Sequence, residues 1–293
     1  MMNETRVPLC VLVLTRDEEL NLEACLGSVA SWVEQVFVLD SGSRDGTQAI
    51  AKRYGAQIFE HPFETHARQW LWALEHLPIA HEWILGLDAD QRITAELREE
   101  LAALFSSPER LQNADGFFIK RRQVWRGRWI KHGTYYPKYL LKLFRKTRVQ
   151  MDARDLMDHH FYVNGVTRSL QNDLIEENLK ENDLTFWIDK HNRYAKLLAQ
   201  EEFVKRTHAH APLIRANVFG NPDERTLWLK QRWYSLPLYV RPFLYFGYRY
   251  VWRLGFLDGK QGFLFHFLQA FWFRVLVDAH LDDISSQKLK VKS

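Results

Sequence analysis

The 293-residue chain contains only two cysteines, Cys10 and Cys25. They are too few for a disulfide framework and lack metal-ligand spacing, so two core thiols in a reduced, cytoplasmic setting are expected. Long apolar runs are missing too. Val7 to Leu14 falls far short of the ~20 residues that a bilayer-crossing helix needs, and Gly262 to Val277 is interrupted by His266, Gln269 and Arg274. Met1 to Val7 has no apolar signal core, so neither a signal peptide nor a transmembrane helix is expected. Glycine-rich phosphate loops are absent as well: neither GxGxxG nor GxxxxGK(S/T) occurs, which removes dehydrogenase and P-loop readings. With 46% hydrophobic residues, a net charge of only +4 and no internal repeat, the composition excludes disorder, collagen and coiled coil.

Aromatic residues are abundant and unevenly placed. Seventeen of the 41 fall between Trp228 and Phe273, where an even spread would put about six. Residues 203–260 also carry ten Lys/Arg against Asp223, Glu224 and Asp258, so a near-neutral total hides a basic, aromatic tail. Rings mixed with Arg suit the water–lipid interface and an anionic membrane surface. A helix over Phe263 to Asp278 would gather His266, Gln269, Arg274 and Asp278 on one half of its circumference and leave an aromatic face to lie in a bilayer. Packing of the same rings as core is the plain alternative. Nucleic-acid binding is not expected, because stacking platforms are usually exposed sheets and this region reads as helical.

The first hundred residues alternate strand-like and helix-like patterns. Val7 to Leu14 has the continuous apolar character of a doubly buried parallel strand, and Asn21 to Trp32 follows as an amphipathic helix. Gln35 to Asp40 repeats the strand, and Asp45 with Gln48 reads as a capping box opening the next helix. Ala56 to Glu60 then leads to a helix over His66–His76. Glu82 to Leu87 leads to a helix capped by Thr94 and reaching Phe105. This order predicts an α/β fold with a mostly parallel sheet, helices on both faces and a ligand at the carboxyl ends of the strands. Phe117 to Trp125 and Tyr139 to Arg145 are strand-like, and a helical pattern returns from Asp183 to Gln200.

Three polar clusters follow predicted strands: Thr15-Arg16-Asp17-Glu18, then Asp40-Ser41-Gly-Ser-Arg-Asp45-Gly-Thr47, then Asp88-Ala-Asp90. Any one alone reads as a solvated turn or a cap. Three on one sheet edge point to a site. In an extended segment Asp88 and Asp90 would face the same side and could share one hard divalent cation, which takes oxygen ligands. Such an ion bridges a diphosphate and neutralises the charge that develops as a nucleotide leaves.

These three clusters, in this order and spacing over residues 7–105, closely resemble family 2 glycosyltransferases with the GT-A fold, of the bacterial branch that builds lipopolysaccharide cores and exopolysaccharides. The resemblance extends more weakly to Lys190-His-Asn-Arg-Tyr-Ala195 and to Gly255-Phe-Leu-Asp258-Gly-Lys-Gln-Gly262. It implies that Thr15, Arg16, Glu18 and Ser41 line a nucleotide pocket, that Asp40 bonds base or ribose, and that Asp45 orders the second loop. Arg68 would contact base or diphosphate, its alternative being a surface charge on an amphipathic helix. Asp88 would contact ribose or sugar, and Asp90 would bind Mg²⁺ or Mn²⁺ through the donor phosphates. His191 and Arg193 would serve the acceptor or phosphate side.

An inverting transfer needs a base on the acceptor's face. Asp158 and then Asp155 are the candidates, because family members place an acid before an apolar strand such as Phe161 to Val163. The resemblance thus implies a metal-dependent glycosyltransferase with its GT-A domain in residues 1–200 and a helical, interfacial region in 201–293. It would move a sugar from a nucleotide-diphosphate donor, a UDP-sugar, to a lipid-linked saccharide or polysaccharide acceptor at the inner face of the cell membrane. A sugar nucleotidyltransferase and a non-catalytic membrane-surface scaffold are the alternatives. The former normally carries a glycine-rich loop where Thr15 to Leu20 has none.

Overall fold

Strand β1 (Val7–Thr15) splits its side chains between two layers, as a strand covered on both faces must. Leu9, Val11 and Val13 join one core, and Cys10 and Leu12 join the other. The structure is a computed structural model that describes residues 6–207 and 212–292, with side chains to residue 287. The leader expectation at Met1 to Thr5 therefore lies outside the described residues.

The remaining strands are β2 (Val33–Asp40), β3 (Gln57–Glu60), β4 (Trp83–Asp88), β5 (Gln91–Ile93), β6 (Gly116–Trp125), β7 (Arg128–Trp129), β8 (Lys138–Arg145), β9 (Val149–Gln150), β10 (Tyr162–Val163) and β11 (Thr167–Glu177). The main sheet runs β3-β2-β1-β4-β8-β6-β11-β5. It is parallel from β3 to β4, as the alternating sequence pattern requires. It is then mixed, with β8 antiparallel to both β4 and β6, β11 parallel to β6, and β5 antiparallel to β11.

Helices α1 (Leu22–Gly27), α2 (Thr47–Arg53), α3 (His66–His76), α4 (Ala95–Phe105) and α5 (Pro108–Gln112) follow the strands. Thr65 and Thr94 cap α3 and α4 by accepting from the amides of Arg68 and Leu97, so both helices begin where their capping residues predict. Helix α1 is shorter than its apolar spacing suggests. Ser28 Oγ bonds back to the Cys25 carbonyl, and the chain turns into β2. The capping box at Asp45 forms only in half: Asp45 accepts from the Thr47 amide, but the Gln48 amide group donates to Asp40 and Glu60 instead. The buried Asp40 carboxylate is the stronger acceptor for that donor.

The chain divides into two units. One comprises the chain up to Val124, Pro137–Ala153 and His159–Leu179; the other comprises Trp125–Tyr136, Arg154–Asp158 and the chain from Lys180 onward. The expected boundary at residue 200 would cut α6 (Leu184–Thr207), whose buried stripe of Trp187, His191, Ala195, Ala199 and Glu202 belongs wholly to the second unit. The stripe recurs every four residues or so, and its Ala195 and Ala199 pack with Phe273, Val277 and Leu281 of α10 (Phe273–Lys292).

Between them lie α7 (Pro222–Tyr234), α8 (Arg241–Phe246) and α9 (Gly259–His266), with π-helical turns at Gly247–Trp252 and Phe267–Trp272. The single helix expected over Phe263 to Asp278 is therefore interrupted, and its polar half faces inward. His266 and Asp278 are fully buried, as Asp278 accepts from the buried Arg241 guanidinium, while Phe263 and Phe267 stay exposed. A paired charge can be buried where an unpaired one cannot. Among the described residues no helix is long and apolar enough to cross a membrane.

Candidate functional site

The carboxyl ends of β1, β2 and β4 carry the three polar clusters, since β1 pairs with both neighbours in parallel register through Thr15–Asp40 and Leu14–Asp88. The first two loops are zipped together by their own polar groups. Thr15 Oγ1 donates to Asp40 Oδ1 at 2.9 Å, the Asp17 amide to Ser43 Oγ at 2.8 Å, the Arg44 amide to Asp17 Oδ1 at 2.8 Å and the Glu18 amide to Thr47 Oγ1 at 2.7 Å. Asp45 accepts from the amides of Glu19 and Thr47, both at 3.0 Å, and so joins the first loop to the second.

Asp40 is completely buried and accepts from Thr15, the amide and hydroxyl of Ser43, and Gln48. Burial pulls its carboxyl upward, but the bonds from Ser43, Gln48 and Thr15 outweigh that and hold it below the ordinary carboxylate value. At Asp45 burial likewise pulls the pKa upward, and the bonds from Thr47 and Glu19 outweigh it and hold the carboxyl below its ordinary value. Both are anchors of the loop backbone, and Asp40 is more deeply engaged in that work than a purely ligand-facing acid would be.

At β4 the strand ends on Asp88, and residues 89–90 turn. The extended i, i+2 geometry expected for Asp88 and Asp90 is thus replaced by a turn, yet the two acids still share surroundings. Burial, then Asp90, then Asp88 push the Cys25 thiol far above its ordinary value, which puts both carboxylates within electrostatic reach of one buried sulfur. Asp88 Oδ2 accepts from Lys142 Nζ at 2.8 Å, and the Asp88 amide donates to Gln91 Oε1 at 3.1 Å. Asp90 lines a small cavity with Asn21, Gln91, Arg92 and Glu177.

The donor set at this corner is hard oxygen, which suits Mg²⁺ or Mn²⁺. The carboxylates of Asp88 and Asp90 fit such an ion in kind. Among the described residues no group of three or more His, Cys, Asp or Glu is placed to hold a metal unaided.

Other expected residues lie elsewhere. Arg16 is exposed, and Arg68 is exposed on α3 and paired with Glu64 at 2.6 Å. Its neighbour Gln69 is the residue drawn in: buried, it donates to Ser41 Oγ at 2.6 Å and to the His61 carbonyl at 3.0 Å. Glu18 accepts from Asn21, which ties α1 to the carbonyl side of β11 through Asn178. Lys142 and Gln69 escaped the sequence reading. Lys142 had a signal, being a lysine inside the apolar strand Leu140 to Phe144, where only a buried partner makes it tolerable.

The acceptor-side candidates belong to the second unit. Asp155 is buried, 3.4 Å from Lys205, while Asp158 is exposed. His191 is buried, its ring 3.6 Å from that of Trp187 and its Nδ1 2.9 Å from the Trp187 carbonyl. Burial first, with Lys190 and Arg274 adding, lowers its pKa to about 4. It packs on α6, because the helical stripe that buries Trp187 also carries position 191. Arg193 is exposed.

Residues 10–174, more than half of the chain, match the Glycosyl transferase family 2 description. The chain belongs to glycosyltransferase family 2. Its sheet, with loops gathered at the carboxyl ends of β1, β2 and β4, is the GT-A architecture of that family. An uncharacterized glycosyltransferase of Rickettsia felis is 35% identical over 95 residues, 32% of this chain and 33% of that protein. The lipopolysaccharide core biosynthesis glycosyltransferase LpsC of Rhizobium meliloti is 27% identical over 152 residues, 50% of this chain and 54% of LpsC. The match thus spans about a third of the first relative's length and about half of the second's. Among solved structures, the Pyrobaculum calidifontis mannosyltransferase PcManGT, in complex with GDP-Man and Mn²⁺, aligns with 98% of this chain and 88% of its own at a TM-score of 0.48 and 16% identity. The family 2 match covers the strands and loops that hold Thr15, Asp40, Asp45, Asp88 and Asp90.

Proposed function

We propose that this protein is an inverting glycosyltransferase that moves a sugar from a nucleotide-diphosphate donor, a UDP-sugar, to a lipid-linked saccharide or a lipopolysaccharide or exopolysaccharide acceptor. The observation that carries the reading is the union, in a family 2 chain, of two zipped loops around Asp40 with Asp88 and Asp90 on the same sheet edge. Thr15, Arg16, Glu18, Ser41 and the Asp40–Asp45 loop would form the nucleotide's bed, with Asp88, oriented by Lys142, toward ribose or sugar. Asp90 would hold Mg²⁺ or Mn²⁺, and the bound ion would offset the charge of the departing diphosphate.

As the acceptor oxygen bonds to the anomeric carbon, the bond from that carbon to the diphosphate oxygen breaks and its electron pair leaves with the nucleotide. The acceptor's proton goes to a carboxylate, for which exposed Asp158 is the first candidate and Lys205-paired Asp155 the second. The acceptor class draws support from LpsC, whose name assigns it to lipopolysaccharide core biosynthesis.

A peripheral place on the inner face of the cell membrane is part of the same proposal. Between Arg225 and Val277 the only carboxylate is Asp258, and it is buried. Phe243, Val251 and Trp252 are exposed in that segment at 63%, 63% and 78%, a surface suited to anionic lipid.

Asp90→Ala in the full chain, assayed against a panel of nucleotide sugars with Mn²⁺, tests the reading. Transfer is expected to fall by about a hundredfold or more and to lose its response to metal. Undiminished, metal-dependent transfer by Asp90→Ala would sink the mechanism.

A further inference from the structure

Arg241, Arg249 and Arg274 all stand among the rings of the second unit, and only the first is neutralised. The Arg241 guanidinium lies 4.9 Å from the centre of the Trp233 ring, and its nitrogens donate to the carboxylates of Glu202 and Asp278. Arg249, in the π-helical turn after α8, is 6% exposed, yet it donates only to neutral oxygens. Its Nε reaches the Gly133 carbonyl and its Nη1 the Tyr245 hydroxyl, both at 2.6 Å. Arg274 on α10 meets three rings and no acceptor. Its guanidinium lies 5.8 Å from the centre of Trp233, 5.7 Å from Tyr245 and 5.2 Å from Phe273. Its buried Nε has no hydrogen-bond partner among the described residues.

The acids of this unit that come near these helices are engaged elsewhere. Arg206 and Arg241 hold Glu202, while Arg241 and the Tyr239 amide hold Asp278. Both oxygens of buried Asp258 serve His132, one accepting from its amide at 2.8 Å and the other 2.7 Å from its Nδ1. Asp258 is also the only carboxylate between Arg225 and Val277. Among the described residues, therefore, neither Arg249 nor Arg274 has an ion-pair partner.

Both charges act on one phenol. Burial raises the Tyr245 pKa, but the Arg249 and Arg274 charges and the bond from Arg249 outweigh it and hold the hydroxyl below its ordinary value. Because Arg249 donates to the Tyr245 oxygen, the phenol's own hydrogen is left to bond outward. Ring faces return only part of what desolvating a guanidinium costs, and buried charges are as a rule paired. Trp233, Tyr245 and Arg274 are each only partly buried, so the group is open to a ligand.

We propose that Arg274 and the Tyr245 hydroxyl, with Arg249 supplying a second positive charge beside them, form a phosphate-binding site in the helical unit. A guanidinium fork and a phenol hydrogen match phosphate oxygens, and two uncompensated charges favour an anion of higher charge than a carboxylate. The phosphate belongs to a lipid headgroup or to a phosphorylated saccharide, which present the same chemistry. The site lies wholly within the second unit and uses none of the residues at the sheet edge, so it stands or falls apart from the glycosyl-transfer reading.

Arg274→Met in the full chain keeps an apolar side chain among the rings and removes the charge. Wild type and variant are melted in chloride and in inorganic phosphate of equal ionic strength, with EDTA present to silence metal-assisted binding at the sheet edge. In chloride the variant should melt no lower than wild type, because an uncompensated charge is gone. Phosphate should raise the wild-type Tm and leave that of the variant unchanged. Tyr245→Phe, which keeps the ring, should show a smaller rise than wild type. An equal rise in phosphate for wild type and Arg274→Met would overturn the proposal. So would a variant that melts lower in chloride while responding to phosphate as wild type does, which would leave Arg274 a packing strut.

Two further probes tell the sources apart. Flotation with phosphatidylglycerol vesicles that weakens about tenfold in Arg274→Met, with calorimetric binding of glucose 1-phosphate unchanged, assigns the phosphate to a headgroup. Glucose 1-phosphate binding that weakens by the same factor, with flotation unchanged, assigns it to a saccharide. If neither changes, the site does not exist.

Discussion

His266 is fully buried, and among the described residues neither of its ring nitrogens has a hydrogen-bond partner. Burial first, and the Arg249 charge second, lower its pKa from the ordinary 6.5 to about 4, the same value that burial gives His191. Between pH 6.5 and 4 the unfolded chain therefore binds protons that the folded chain refuses. The stability these two rings contribute is complete above pH 6.5 and is lost as pH falls toward 4, by up to on the order of 3 kcal/mol per ring. Calorimetric melting from pH 7 to 4 should show a steadily falling Tm, and His266→Leu should flatten that slope. An unchanged slope in the variant would assign the acid sensitivity to other groups. At this scale much of the candidate site was legible: Thr15 meets Asp40, and Asp45 meets the Glu19 amide of the first loop, because each lies within a few residues of a strand end. That Arg68 is exposed on α3 and His191 buried on α6 was not legible, for one shared reason. A helical residue faces ligand, solvent or core according to what packs on it, and residue type alone does not settle which.

Arg241 links three helices. Its guanidinium donates to Glu202 on α6 at 2.7 and 3.2 Å and to Asp278 on α10 at 2.8 Å, from the start of α8, and it is fully buried. Burial opposes its charge, and the bonds to Asp278 and Glu202 overcome that and raise its pKa. Arg241→Met would leave two buried carboxylates short of a partner, although Arg206 still reaches Glu202 and the Tyr239 amide still reaches Asp278. A loss on the order of 3 kcal/mol is expected in urea unfolding. Adding Asp278→Asn to that variant should restore part of it, and a loss no smaller in the double variant would contradict the account. Element by element, α3 and α4 were readable because their caps and apolar spacing agree. Helix α1 and the Phe263 to Asp278 segment were not. A side chain returning to the Cys25 carbonyl stops α1 early, and a π-helical turn shifts the register of the tail after His266.

For the molecule as a whole, the proposed membrane contact is the exposed apolar face of the tail. Phe243, Val251, Trp252 and Leu257 are at least half exposed, and between Arg225 and Val277 they share a segment whose only acid is buried. Phe243→Ser with Trp252→Ser should weaken flotation with phosphatidylglycerol vesicles by at least about tenfold, leaving UDP–Mn²⁺ binding intact. Equal flotation of the variant would remove this face as the membrane contact. By itself the sequence determined the βα alternation, the three clusters at strand ends and the family they mark. Those features arise from period-2 and period-3.6 patterns and from caps that act over a few residues. Only the tertiary structure decided that Lys142 would hold Asp88 from 54 residues away, that Asp258 would seat His132 across 126, and that the polar half of the tail would turn inward. Such meetings depend on chain closure and on mutual burial of charges. No local pattern encodes either one.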